Sequence, residues 1–345
     1  MFRIVREAFR RRACMRRVFA KWRQQIFGAL KVVFPIGVLL VGASVTRAME
    51  VTLVGNTVVL SGPVAGDDLA KVKDAFAKAP AIDVVVLRNS WGGDAWTGYR
   101  VGELFREKGV TTAVSGYCVS SCSRMFLGGR QRLFTDDYPA LQTFVGFHGH
   151  YDSLGKLDLR SVNEHGLYRW IIKYSDGKAD EALVKRWISI DKNKGAANFL
   201  HPDVSASRKA SVFLCSGDEG NRPLGCEPLA SNAMDQGVIT DLRRISSPDQ
   251  AALAHRLRAH QNPASGYGDI DDVSKVPLDL VDGLNNYKRF LESSFPRAFA
   301  VSATRRHWAW NAGANDVSEA LRRCAERAGE ACKLYAVDET VVYRP

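Results

Sequence analysis

The sequence has no uncharged apolar run as long as the roughly 20 residues that a bilayer-spanning helix needs, and it has no internal repeat and no low-complexity tract. With 46% hydrophobic residues, wholesale disorder and collagen-like or low-complexity architectures are excluded, and 345 residues suffice for about two domains. Acid is nearly missing from the start of the chain. Residues 1–48 hold eleven Lys and Arg against the single acid Glu7, so +10 of the total charge of +11 sits there. Beyond residue 48 the excess of base is missing instead, which excludes a general basic groove for phosphate backbones, and no nucleic-acid partner is expected. No His-x-x-x-His accompanies the cysteines, which argues against zinc; no metal or cofactor is expected.

The basic N-terminus precedes an uncharged stretch, Val32–Val45, and then Thr46-Arg47-Ala48. A positive region, an apolar region and a small residue at the cut read as a secretory signal cleaved after Ala48. Counting Ile26–Leu30 and letting Lys31 snorkel would extend it to a marginal membrane anchor. A third reading is a basic amphipathic helix on a cytoplasmic membrane face. Under the first two, positive-inside bias leaves residues 49–345 outside the cytoplasm, periplasmic or anchored in an inner membrane. Cysteine usage agrees with export. Cys14 lies in the targeting segment, and the other six fall into three close pairs, Cys118/Cys122, Cys215/Cys226 and Cys324/Cys332, as disulfides in an oxidising compartment would.

In the exported part, β-branched residues from Val51 to Leu60, interrupted by Gly55-Asn56, predict a hairpin or an irregular strand pair. A helix over Leu69–Lys78 capped by Asp67 or Asp68, a buried strand over Ala81–Leu87, a helix over Ala95–Lys108, a strand at Thr111–Ser115, a helix from Ser121 and a strand at Val145–His148 follow. Strands alternating with helices predict a parallel sheet with crossover helices. Residues 160–175 and 178–190 read as two more helices. Polar composition predicts a linker over 246–290, and residues 291–345 read as a small disulfide-bonded α/β domain. Its Trp308 and Trp310 read as core rather than as a binding surface for glycan or a partner.

Three segments carry possible chemistry. Asn89-Ser90-Trp91-Gly92-Gly93-Asp94 follows the buried strand, where open α/β sheets place ligands, and a glycine pair lets backbone amides face a developing oxyanion. The plain alternative is a tight turn. Cys118-Val119-Ser120-Ser121-Cys122-Ser123 opens a helix, whose positive end suits a nucleophile; the plain alternative is that Ser120, Ser121 and Ser123 cap it. Phe147-His148-Gly149-His150 ends a strand, and imidazole is the base that a hydroxyl needs at neutral pH. A bridge between Cys118 and Cys122 would bracket Ser120 and, across so short a loop, predicts a reducible and redox-sensitive elbow.

Together these residues resemble the ClpP-like peptidases of the ClpP/crotonase superfamily, in particular its predicted exported branch, over about residues 50–245. Asn89-Ser90-Trp91-Gly92-Gly93 is similar to that family's Asn-Ser-Pro-Gly-Gly oxyanion loop, with Trp91 where proline is usual. The resemblance implies an α/β fold of repeated ββα units with a parallel sheet, Ser120 as nucleophile (Ser121 if the register slips by one), His148 as base, and an oxyanion hole from Gly92 or Gly93 with Ser121. It also implies a homo-oligomer. For the third triad member it points to Glu227, with Asp218 and Glu219 as close alternatives; a Cys215–Cys226 bridge would then brace the loop that orients the Glu227 carboxylate. A serine–lysine dyad through Lys173 is a further variant. The expected activity is hydrolysis of peptide or protein substrates through an acyl-enzyme. The rival is an inactive scaffold of the cell envelope, and a third reading, acyl-CoA chemistry, lacks any visible adenine-recognition feature.

Overall fold

The computed structural model describes residues 48–79, 81–219 and 225–345, so the targeting segment read at residues 1–48 lies, but for Ala48, outside the described residues. Of the two readings of the β-branched start, the structure shows the hairpin, β1 (Glu50–Val54) against β2 (Thr57–Ser61), turning at Gly55 with φ 61°. Then follow α1 (Asp68–Lys78), β3 (Val84–Ser90), α2 (Ala95–Lys108), β4 (Thr111–Val119), α3 (Ser121–Gly128), β5 (Gln131–Thr135) and β6 (Phe144–Phe147). Val85, Val86 and Leu87 are all fully buried, Val85 and Leu87 in the main core and Val86 in a second cluster with Val59, Ala113 and Leu133; with both faces of β3 covered, its sequence runs apolar without alternation. β3 starts and ends three residues later than predicted, so Asn89 and Ser90 belong to the strand.

The next stretch is helical: α4 (Leu159–Glu164), α5 (Leu167–Tyr174) and α6 (Glu181–Ile188). The single helix expected over 160–175 is two, broken at Gly166 with φ 63°. β7 (Ala196–Leu200), α7 (Val204–Arg208), β8 (Val212–Cys215), β9 (Glu227–Leu229) and β10 (Arg244–Ile245) complete the large sheet. Its order is β1-β2-β3-β4-β6-β7-β8-β9, with β5 between β4 and β10 off that path. The β2-β3-β4 pairings, and those of β4 with β5 and β6, are parallel; β6-β7-β8-β9 is antiparallel. The architecture is therefore mixed α/β with a parallel-containing sheet.

One strand forks the sheet. β4 pairs with β5 through Thr111–Val114 and with β6 through Tyr117–Val119, and the change falls at Gly116, φ 70°. β6 thereby lies beside the carboxyl end of β4 alone. α3, at that end, is buried along its whole length. Met125, Phe126 and Leu127 are 0%, 0% and 1% exposed, and burying each stabilises by roughly 1.5–3 kcal/mol. Two glycines let α2 approach α3 closely: a Cβ on Gly102 would stand 2.6 Å from the Arg124 carbonyl oxygen, and one on Gly98 2.6 Å from that of Ser121.

The segment read as a linker, 246–290, is a correction. It holds α8 (Gln250–Gln261) and most of α9 (Val281–Leu291). Tyr287, Phe290 and Leu291 stand at helical spacing and pack in one apolar cluster with Val119, Phe144 and Phe213 of the large sheet. The same cluster takes in Phe299 of β11 (Arg297–Ser302) and Tyr335 of β13 (Cys332–Val337). These strands, with β12 (Trp308–Ala312) and β14 (Thr340–Val341), form a second sheet, antiparallel and ordered β12-β11-β13-β14, against which α10 (Asp316–Ala328) packs. Contacts group the described residues as one compact unit. All three close cysteine pairs, Cys118–Cys122, Cys215–Cys226 and Cys324–Cys332, are disulfides, which is compatible with an extracellular location. Among the described residues no helix is long and apolar enough to cross a membrane.

Candidate functional site

Ser120 occupies the turn from β4 into α3 with φ 59° and ψ −125°, a conformation that non-glycine residues rarely adopt. Its amide donates to the Gly146 carbonyl at 3.0 Å, and its carbonyl accepts from the Ser123 amide and hydroxyl. Its own hydroxyl makes no capping bond to α3. The Ser121 hydroxyl is buried without a partner and that of Ser123 turns back to Ser120, so none of the three serines caps the helix. The Cys118–Cys122 bridge, with Cα atoms 5.2 Å apart, clamps the turn from both sides, and both cysteines are fully buried.

The glycine pair lies directly against this turn. A Cβ on Gly92 would meet the Ser120 Cβ at 2.6 Å and the Ser121 nitrogen at 2.9 Å, so only glycine fits, and its φ of 87° requires glycine as well. Gly93, φ 149°, is pinned against Val64, where a Cβ would stand 2.1 Å from the carbonyl oxygen. The Gly92 amide is taken by the Ser90 hydroxyl at 3.2 Å. The amides of Gly93 and Ser121 have no acceptor among the described residues. Trp91, next to this glycine pair, is 46% exposed and stacks on Tyr117 with ring centroids 4.1 Å apart.

His148 follows the last residue of β6, which the fork has placed beside Val119 and Ser120. It is 8% exposed and its Nδ1 is buried without a partner. Burial first, then the charge of Arg124, then His150, hold its pKa down to about 3, so the imidazole is neutral at physiological pH. Ser120 and His148 are not hydrogen-bonded to each other. His150, also held down to about 3 and chiefly by burial, shares its Nε2 with the Tyr99 hydroxyl at 2.9 Å. Arg124 and Tyr99 are not singled out by the sequence. The signal for Arg124 is its position four residues after Ser120, one helical turn on.

The structure does not bring the predicted acid to His148. Glu227 is more than half exposed on β9 and is held by Arg186 through both carboxylate oxygens, at 3.1 and 2.9 Å. The registers Phe147–Ala197, Ala197–Leu214 and Leu214–Glu227 put three strand spacings between them, roughly 14 Å. The role expected of Cys226 is corrected with it. Cys226 is bridged to Cys215, with Cα atoms 4.8 Å apart, but the bridge ties the end of β8 to the start of β9 and so fixes Glu227 at the sheet edge rather than toward the imidazole. Cys215 and Cys226 are therefore a structural disulfide away from the site. Asp218 pairs with Lys192, and Glu219 accepts from Ser216 and Gly217 within its own loop. Lys173 is exposed in the last turn of α5, with its ammonium over the Tyr174 ring at 5.3 Å. Resemblance selects Glu227 by distance along the chain. The antiparallel β7-β8-β9 extension carries that segment outward to the sheet edge.

No family model and no curated protein matches the chain. Among solved structures, a point mutant of ClpP1 from Listeria monocytogenes is similar at 12% identity and a TM-score of 0.36, over 58% of this chain and 95% of that one. ClpP1 from the same organism is similar at 13% identity and the same TM-score, over 55% of this chain and 92% of its own. At that identity no residue role transfers from either.

Proposed function

We propose that the chain is an exported serine hydrolase acting on peptide or protein substrates through an acyl-enzyme, with Ser120 as nucleophile, His148 as general base and a backbone oxyanion hole. The observation that carries the reading is the positive-φ turn of Ser120 packed beneath Gly92. A serine that neither caps its helix nor relaxes its backbone, against a glycine pair, has the form of an elbow that presents a hydroxyl. For the oxyanion the reading takes the amides of Gly93 and Ser121, the two without acceptors, in preference to that of Gly92. Glu227 has no part in it, and the mechanism is a Ser–His pair. Neutral His148 is in the form that accepts a proton. The Ser120 hydrogen bond to it would close on substrate binding, as catalytic hydrogen bonds in ligand-free sites often do.

The finer family reading, a ClpP/crotonase-type domain of ββα units that assembles as a homo-oligomer in the periplasm or on the inner membrane, belongs to the same proposal. Its support is the three sequence motifs, the mixed α/β sheet and the disulfides. The alternative, a binding or scaffolding protein of the cell envelope, is favoured by one observation: among the described residues no carboxylate acts on His148.

Labelling by a serine-directed fluorophosphonate, with disulfides intact, decides between them. Labelling of the wild type that is lost in Ser120→Ala, falls about a hundredfold or more in His148→Ala and survives in Ser121→Ala is expected. No labelling of folded wild type would favour the scaffold.

A further inference from the structure

The site contains one charge that hydrolysis as described does not use. Three arginines are among the largest fully buried side chains: Arg124, Arg132 and Arg297. Arg132 donates to the Gly129, Val238 and Gly237 carbonyls and to Asp176. Arg297 donates to the Phe290, Leu291 and Ser293 carbonyls and to Glu339. Arg124 is the exception. It is 2% exposed, its Nε and Nη1 have no partner, and the groups that favour its charge are the hydroxyls of Tyr99 and Tyr151, with no carboxylate among them. Leaving a guanidinium inside a protein without a counter-charge is among the least favourable arrangements a fold can carry.

Its position gives the arrangement a use. Arg124 stands one helical turn beyond Ser120, and helical side chains lean toward the helix N-terminus, so the guanidinium is carried back toward the turn of Ser120. It lies over the Tyr99 ring at 5.1 Å, and its charge reaches both His148 and His150. Tyr151, whose ring is 4.9 Å from that of His148, begins a small hairpin closed by the Tyr151–Leu157 bridge, and Leu154 at its tip is 91% exposed. No cluster of three His, Cys, Asp or Glu fit for a metal ion exists among the described residues.

We infer that Arg124 receives a carboxylate of the substrate beside the bond presented to Ser120. A guanidinium with free N–H donors in a desolvated site selects a planar anion. The inference rests on Ser120 marking the substrate site and adds what that substrate carries: the α-carboxylate of a chain end, or the side chain of an aspartate or glutamate.

The test titrates the full-length protein calorimetrically with N-acetylalanine, with the N-acetylated amide of aspartate, and with N-acetylalanine amide as neutral control. Binding of a carboxylate about tenfold or more tighter than the control, abolished in Arg124→Gln and partly kept in Arg124→Lys, is expected. The tighter of the two carboxylates identifies the source. Equal affinity for carboxylate and control in the wild type overturns the inference, as does unchanged carboxylate affinity in a folded Arg124→Gln. Should that variant not fold, the wild-type comparison decides alone. Fluorophosphonate labelling of the same preparations separates the two readings. Labelling without carboxylate preference overturns the Arg124 assignment only; carboxylate binding without labelling keeps it and overturns hydrolysis.

Discussion

His148 is an imidazole kept neutral in the fold by burial and by the neighbouring guanidinium, and the sign of the resulting pH dependence follows directly. Its pKa is about 3 in the folded protein against about 6.5 unfolded. The unfolded chain therefore binds more protons between those values, and stability that is complete above pH 6.5 drains away as pH falls toward 3. At pH 5 the loss is roughly 2 kcal/mol for this residue, and His150, held down to about 3 as well, adds to it. Urea unfolding between pH 5 and 8 is expected to show this slope, with part of it removed in His148→Asn; a slope unchanged by the substitution would mean that His148 titrates normally. The parts of the candidate site legible in the sequence are those set by local chemistry: a serine at a helix start, a glycine pair after a buried strand, a histidine at a strand end. Glu227 is misjudged and Arg124 missed for one reason. A carboxylate's partner and an arginine's lack of one are set by tertiary neighbours, Arg186 on α6 and Tyr99 on α2, which no spacing encodes. The pairing of Cys215 with Cys226 is legible from their separation, whereas the direction in which that bridge holds Glu227 is not.

The turn from β4 into α3 depends on three elements at once. The parallel pairing of Val119 with Gly146 fixes the end of β4, the close approach at Gly98 and Gly102 fixes α3 against α2, and the Cys118–Cys122 bridge joins strand to helix across Ser120. Brevity of the loop predicts a bridge open to reductant, whereas both cysteines are fully buried beneath α2 and the sheet. Reductant is therefore expected to leave fluorophosphonate labelling unchanged under native conditions. The double substitution Cys118→Ala/Cys122→Ala is expected to slow labelling and to lower stability by about 2 kcal/mol, the loop-closure value for so short a ring. Rapid loss of labelling in mild reductant would refute the buried clamp. Element boundaries show the same limit on what a sequence discloses. α2 ends where predicted because Asp94 accepts from the Thr97 amide at its start and Gly109, φ 69°, stops it. β4 runs four residues past the predicted Ser115 because Gly116, which reads as a strand end, is instead the fork at which pairing passes from β5 to β6.

At the scale of the molecule, the two sheets are held by a common core rather than joined by a tether. Composition separates them at 246–290 because α8 and the loop after it are polar, yet α9 carries Tyr287, Phe290 and Leu291 on one face, and their burial requires both sheets. Arg297 ties the same region together by donating from its side chain to carbonyls of α9 and its end, and from its amide to the Asp338 carboxylate. That shared core bears on the site, since Val119, next to Ser120, and Phe144, at the start of the strand that leads to His148, are members of it. Removing residues 246–345 would uncover Val119, Phe144 and Phe213 as a contiguous apolar face, and exposed patches of that kind drive association. Residues 49–245 produced alone are therefore expected to bind a hydrophobic dye, to aggregate and to resist fluorophosphonate labelling, while residues 49–345 unfold in a single cooperative transition. If 49–245 were instead soluble, cooperatively folded and labelled at the rate of the longer chain, the core would be divisible, and the turn of Ser120 would owe nothing to α9 and the second sheet.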